Sequence, residues 1–331
     1  AYALAVSKIG DRSRPGCGCL RPLARARFAG KEFVPCAKNA REREGEREVA
    51  VTVSKFEAWV RPHPARHGLL GHSVISSPSG ADGAGPQVLH VMTYNIRHGR
   101  GMDMVIDLER LADVIRKADA DIVGLNEVDI ETERSGGVDQ AGRLGELLGM
   151  HVVYGPNIEY QGGLYGNALL CRYPVERCRN VSLVAGGRAR WGLLHAELAV
   201  GGRTLHVLVT HLSLEPAERA EQLQRIANVV KALTGPVVFM GDLNIVAGTD
   251  EDPARVLRPL LRDAWTHMLK ARAGHGDPPS GYTFPADNPV RRIDYIFIND
   301  GLDLAGENAV YTVDTQASDH LPVVAALRWR E

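Results

Sequence analysis

The sequence predicts an α/β (α+β) fold in which mixed β-sheets are flanked by helices. Three observations carry this expectation. Short apolar strands recur from Val88 to the end of the chain, several with a period of two. Amphipathic helices fall between some of them. Strands therefore arrive both as hairpin neighbours and across helices, the pattern of mixed sheets.

Residues 1–87 do not share this character. They are rich in Arg, Gly, Pro, Ser and Ala, with little apolar periodicity. "NAREREGEREVAV" has no face to bury as a helix, and "SSPSGADGAGPQ" (Ser76 to Gln87) reads as a flexible linker. All six Met residues lie at position 92 or later, which is compatible with a natural start near Val88. The expected organisation is a low-complexity, disordered N-terminal extension and linker over 1–87, followed by one domain over 88–331. A basic arm for RNA or a membrane surface is the competing reading of the extension.

From Val88 the elements follow in order. "VLHVMTYN" alternates as a half-buried strand, and "IDLERLADVIRKADA" places Leu108, Leu111, Ala112 and Ile115 on one helical face. "DIVGLNEV" is an apolar run that ends in a carboxylate. "DQAGRLGELLGM" is a second helix and "HVVYGPN" another strand. "YGNALLCRYP", "GLLHAELAV" and "TLHVLVTHL" read as successive strands joined by Gly-rich turns. "EPAERAEQLQRIANVVKAL" is the clearest helix, with Pro216 in its first turn and a stripe of Leu223, Ile226, Val230 and Leu233. "GPVVFMGDLN", "RRIDYIFI" and "LPVVAALRW" supply the last three strands.

Composition excludes several classes. No run of eighteen apolar residues exists, so no stable membrane insertion is expected. The five cysteines (Cys17, Cys19, Cys36, Cys171, Cys178) are odd in number and sparse, which fits a reducing compartment and a cytoplasmic location better than a disulfide framework. Residues 1–87 carry 14 Lys and Arg against 8 Asp and Glu, whereas 88–331 carry 25 against 32. The larger region is thus acidic, which argues against a long electrostatic footprint for duplex nucleic acid. No obligate protein partner is evident.

One pattern recurs through 88–331: an apolar strand ends in a group able to bind metal or phosphate. The instances are Asn95, Glu127, His211, Asp242 with Asn244, Asp294, and Asp319 with His320. A single Asn or Asp at a strand end ordinarily caps a turn, and a lone His is ordinarily a hydrogen-bonded core residue. Six such places in one α/β domain can converge on one cleft. Amide and carboxylate oxygens without thiolates suit a hard cation, Mg2+ or Mn2+. The histidines and Asn supply donors for charge on phosphoryl oxygens, and Asp294 could orient His320 and favour its protonated form.

These motifs resemble the endonuclease/exonuclease/phosphatase superfamily, which includes deoxyribonuclease, apurinic endonuclease and sphingomyelinase branches. The resemblance covers 88–331 and rests on "TYNIRHG", "GLNEVD", "GNALL", "THLS", "GDLN", "RRIDYIF" and "SDHLPV", in the family's order. It implies a four-layer sandwich of two packed mixed β-sheets flanked by helices. It also implies a catalytic domain that hydrolyses a phosphate ester, foremost a phosphodiester, by in-line attack of an activated water with Mg2+ or Mn2+. Asn95, Glu127 and Asp319 match the cation's positions. Asp242 matches the residue that orients or deprotonates water, and Asn244 a transition-state donor. His320 matches the phosphate-contacting histidine, Asp294 its carboxylate partner, and His211 a second phosphate-contacting histidine. Asn126 stands where many members have Gln, as a support for Glu127.

The expected substrate is a small phosphoester, a lipid head group or a short nucleic acid. Arg134, Asp139, Tyr160, Tyr165 and Arg188 to Trp191 are candidates for its pocket, and Arg97, Arg134, Arg188, Arg190, Arg291 and Arg292 for a phosphate clamp. A nuclease acting on DNA or RNA and a non-catalytic scaffold of the same fold are the alternatives. Either Asp242 or His320 could serve as the base.

Overall fold

The computed structural model describes residues 58–61, 86–184, 191–272 and 279–330, and the backbone of 27–28, 31–32 and 34–35. Most of the expected extension, including Cys17, Cys19 and Cys36, lies outside the described residues, as do Arg188 and Arg190. A small unit pairs β1 (Arg27–Phe28) with β2 (Lys31–Glu32).

The larger unit is built on two βαβ crossovers. The first joins β5 (Leu89–Asn95) through α1 (Leu108–Lys117) to β6 (Ile122–Ile130), which lies parallel to it. The second joins β11 (Arg203–His211) through α3 (Pro216–Lys231) to β12 (Val237–Asp242), again parallel. Each crossover seeds a sheet, and antiparallel strands complete both.

The nine-stranded sheet adds β3 (Val34–Pro35), β4 (Trp59–Arg61), β7 (His151–Tyr160), β8 (Gly163–Cys171), β15 (Leu302–Leu304), β16 (Val310–Thr312) and β17 (Val323–Trp329). Its order is β15-β17-β5-β6-β8-β7-β4-β3, with β16 also on β17. The six-stranded sheet runs β13 (Arg262–Asp263), β14 (Asp294–Ile298), β12, β11, β10 (Gly192–Val200), β9 (Val175–Ser182).

Alternation along the strands sorts the core into layers. Val91, Ile122, Val153 and Leu169 face Leu194, Val207, Val209, Val238 and Met240 between the sheets. On the outside of the larger sheet, Met92, Tyr94, Val123 and Leu125 pack against Leu111 and Ile115 of α1 and Leu144 of α2 (Gln140–Leu148). On the outside of the smaller one, Leu208, Phe239 and Phe297 pack against Leu223, Ile226 and Val230 of α3. The result is a four-layer α/β sandwich, as the motifs imply. A short α4 (Pro253–Leu257) and α5 (Ala264–Ala271) follow β12, and Trp265 and Met268 of α5 enter the layer between the sheets. Among the described residues, no helix is long and apolar enough to cross a membrane.

Three elements depart from the sequence expectation. Residues 59–61 pair antiparallel with β7 and 34–35 with 59–61, and Arg61 bonds Asp139 at 2.6 Å, so a boundary at 87/88 leaves out two short strands at the end of the sheet. Two or three residues are too few to show a period. β9 reads "VERCRNVS", whose charged positions fit its place at the sheet edge but disguise it as a loop.

Candidate active site

The two parallel pairs end on the same feature. On β5 the positions facing the other sheet are Leu89, Val91, Thr93 and then Asn95; on β12 they are Val238, Met240 and then Asp242. Leu205, Val207 and Val209 of β11 lead in the same way to His211, and β14 begins inward with Asp294. Register sets neighbours side by side: Asn95 opposite Asn126, His211 opposite Asp242, and Asp242 opposite Asp294. The period that fills the core with aliphatics therefore delivers polar groups at one end of it. Gly241 lets β12 and β11 come close there, since a Cβ at its φ of 149° would collide with the Thr210 carbonyl.

Asp242 is the hub. Its Oδ2 accepts from Asn95 Nδ2 at 3.0 Å and lies 3.5 Å from His211 Nε2 and 3.7 Å from His320 Nε2. Its Oδ1 accepts from the Asn244 amide at 2.9 Å, and its own N–H donates to Asn126 Oδ1 at 2.9 Å. Asn126 also donates to Asn167 Oδ1 and to the Thr210 carbonyl, so this one side chain bridges the two sheets. It does not bond Glu127, the contact expected from sequence. Asn126→Ala leaves a buried N–H on Asp242 unpaired and is expected to cost about 1–3 kcal/mol, measured by chemical denaturation.

Glu127 reaches the cleft through a bulge. Strand alternation would turn it away after inward-facing Asn126, but the pairing of β6 with β8 shifts between Leu125 and Val128, and Glu127 adopts a left-handed φ of 59°. Its Oε1 accepts from Asn95 Nδ2 at 3.1 Å, and Oε2 lies 4.0 Å from His98 Nδ1. Burial opposes its ionisation, yet His98, the field of His211, and Asn95 outweigh burial and hold the carboxyl down to about 2. Asn95 Oδ1 accepts from the Arg97 amide at 3.0 Å, so Asn95 both closes a local turn and ties Glu127 to Asp242. Asp319 stands beside this set, 3.3 Å from Arg97 Nε, and burial raises its carboxyl.

This donor set fits a hard divalent cation. Glu127 is held ionised, its side chain keeps 25% of its surface exposed, and the groups around it offer oxygen and no sulfur. A second grouping, Asp242, Asp294 and His320, also brings three ligand atoms within 4.8 Å of one another.

His320 Nδ1 meets Asp294 Oδ2 at 2.9 Å, and its ring packs 4.8 Å from Phe284. Burial works against a charged ring here, but Asp294 and then Asp242 outweigh it and raise His320 to about 10. Burial raises Asp294 as well, with the His320 charge pulling it back. Nε2 of a protonated His320 thus points its N–H toward Asp242. His211 sits edge-on to Trp191, and its Nε2 faces Asn244 Nδ2 at 3.0 Å. Because Asn244 Nδ2 also donates to the Leu212 carbonyl at 2.9 Å, both of its amide protons are engaged.

Every strand-end residue singled out in the sequence lies at this end of the sandwich. The sequence reading gave no role to His98, which is held by a left-handed turn at Arg97 (φ 46°) and His98 (φ 45°). Of the candidates for a phosphate clamp, Arg188 and Arg190 lie outside the described residues, Arg97 stands at the cleft on Asp319, and the other three have partners of their own. Arg292 is buried on Asp263 at 2.8 Å, and Arg291 lies over the Phe284 ring at 5.0 Å. Arg134 pairs with buried Asp129 at 2.8 Å while lying 4.6 Å over Tyr160 and 5.3 Å from the Tyr165 ring. Asp139 caps α2 and holds Arg61, a structural duty.

Known proteins resemble this chain in sequence or fold. The Escherichia coli K12 protein YbhP, described as uncharacterized, is 30% identical over 249 residues, covering 72% of this chain and 95% of YbhP. The crystal structure of an endonuclease/exonuclease/phosphatase from Beutenbergia cavernae is 28% identical with a TM-score of 0.56, covering 74% of this chain and 72% of that one. The Bacteroides thetaiotaomicron mannosyl-6-phosphatase Bt3783 shares the fold at 16% identity (TM-score 0.55, 73% of this chain and 100% of that one). The family model that matches spans residues 92–320, from the second half of β5 to the histidine paired with Asp294. The chain belongs to the Endonuclease/Exonuclease/phosphatase family, whose members are metal-dependent phosphoesterases and nucleases.

Proposed function

We propose that the protein hydrolyses a phosphodiester by in-line attack of water, with Mg2+ or Mn2+ held by Glu127, Asn95 and Asp319. These residues would hold the ion, which would supply Lewis-acid polarisation of a phosphoryl oxygen and charge neutralisation at the leaving oxygen. Asp242, fixed on both carboxylate oxygens, orients the attacking water and takes its proton. His320, charged through Asp294, directs its Nε2–H to a phosphate oxygen as negative charge builds there. His211 lines the cleft beside Asp242, but its Nε2 accepts from Asn244, so the phosphate contact expected from sequence is not open to it in this arrangement. Asn244 sets the orientation of His211, since its own protons are spoken for by His211 and Leu212.

The carrying observation is the meeting of Asn95, His211 and His320 on one oxygen of Asp242, with Asp294 behind His320. A structural cluster would not need an ionised Glu127 left a quarter exposed beside it.

The substrate class follows from charge. Residues 88–331 are acidic, which favours a small or lipid-linked phosphodiester or a short oligonucleotide over a long duplex. The test is a panel of bis(p-nitrophenyl) phosphate, plasmid DNA, single-stranded RNA, a choline phospholipid and inositol phosphates, with Mg2+, Mn2+ or a chelator. Turnover of a diester that disappears with chelation and returns with Mg2+ or Mn2+ is expected. Metal binding without turnover on any of them would replace this reading with a non-catalytic scaffold.

A further inference from the structure

On the other face of the smaller sheet, three ligand atoms converge away from the cleft. His195 and Glu197 are two residues apart on β10 and share its helix-facing side with Leu193. His206 lies directly across from Glu197 on β11. One ring nitrogen from each histidine and one carboxylate oxygen of Glu197 lie within 4.8 Å of one another. His206 is five residues before His211 and faces the opposite way, about 17 Å along the strand at roughly 3.4 Å per residue.

We propose that His195, Glu197 and His206 form a second metal site, separate from the catalytic cleft and suited to a zinc-like divalent cation. Two imidazoles and one carboxylate are the donors that Zn2+ takes in three-ligand sites, with water in the fourth position. His195 Nε2 and His206 Nδ1 are 3.1 Å apart, close to the ~3.3 Å that two nitrogens span around a tetrahedral ion with Zn–N bonds of about 2.0–2.1 Å. His206 Nε2 lies 3.0 Å from the Thr234 carbonyl, the kind of outer-shell contact that fixes a ligating imidazole with its other nitrogen free. Glu197 is the approach from solvent, and its present partner, Arg177, is a surface side chain.

Without an ion, the same atoms form a chain. Arg179 Nε donates to His195 Nδ1 at 3.1 Å, His195 Nε2 donates to His206 Nδ1, and His206 donates to Thr234. Binding requires a change of tautomer and of partners: the His195 proton moves from Nε2 to Nδ1, exposed Arg179 turns to solvent, and Glu197 exchanges Arg177 for the ion. No proton is lost overall. The ion then ties β10, β11 and the turn after α3 together.

The experiment titrates Zn2+ into the full chain in excess Mg2+, with a chromophoric chelator as competitor. One equivalent retained by wild type and by Glu127→Gln is expected, with His206→Ala losing it. Glu197→Gln keeps the histidine chain intact and serves if His206→Ala fails to fold by circular dichroism. Its affinity should fall by at least the roughly 10–100-fold that loss of an outer-shell partner costs. No zinc retained by wild type, or equal retention in wild type and Glu197→Gln, would leave a hydrogen-bonded chain only and overturn the proposal.

Discussion

Asp242→Asn is expected to lower turnover of a phosphodiester by roughly a hundred- to ten-thousand-fold, the range over which a positioned general base contributes. The substitution preserves size, and the site explains why it would not preserve chemistry. Asp242 accepts on both oxygens, from the Asn244 amide on one and from Asn95 on the other. An amide has one accepting oxygen, so its NH2 must oppose one of those donors. One of the charges that steady protonated His320 disappears with it. Because the lost interactions act on water and on developing charge, kcat should fall far more than KM changes. Far-ultraviolet circular dichroism should remain as in wild type. A variant with kcat within tenfold of wild type would remove Asp242 from the base role.

The sequence made the ends of the strands legible because a period of two is simple to extend. Val91 to Asn95 and Val238 to Asp242 are the same alternation carried one step past the aliphatic core. What stayed hidden depends on backbone geometry or long-range pairing. Glu127 enters the cleft through a bulge that no period predicts, since strict alternation would have turned it outward. His98 is placed by two left-handed residues in succession, unusual for Arg and His. Asn126 looked like a local support for Glu127, but it works across the sandwich, on an amide 116 residues away. The Arg residues failed for a related reason: Arg134 and Arg292 found buried carboxylates, and a sequence does not show which cations are already paired. The short strand at Trp59–Arg61 is recognisable only through its pairing with β7.

Asp294→Asn provides the sharpest test of how the site divides acid from base. Asp294 is the strongest of the charges that raise His320 to about 10 from an ordinary 6.5. Asn keeps an oxygen for the ring N–H but loses that charge, leaving Asp242 and Asp319 alone against burial, so the imidazole falls. A raised histidine is charged below its pKa and loses its proton as pH rises through it. If the charged form does the work, wild-type kcat/KM should persist on the alkaline side until pH approaches 10. The variant should lose activity at much lower pH. Were His320 to return to its ordinary 6.5 in the variant, the charged fraction at pH 8 would imply a loss of roughly thirtyfold, recovered in part at pH 6. The opposite sign is equally informative. Were neutral His320 the base, Asp294→Asn would raise activity at pH 8, because more of the ring would be free to accept a proton. A pH–rate profile from 5 to 10 on both proteins separates the two, and an unchanged alkaline limb would mean that Asp294 positions His320 without setting its charge.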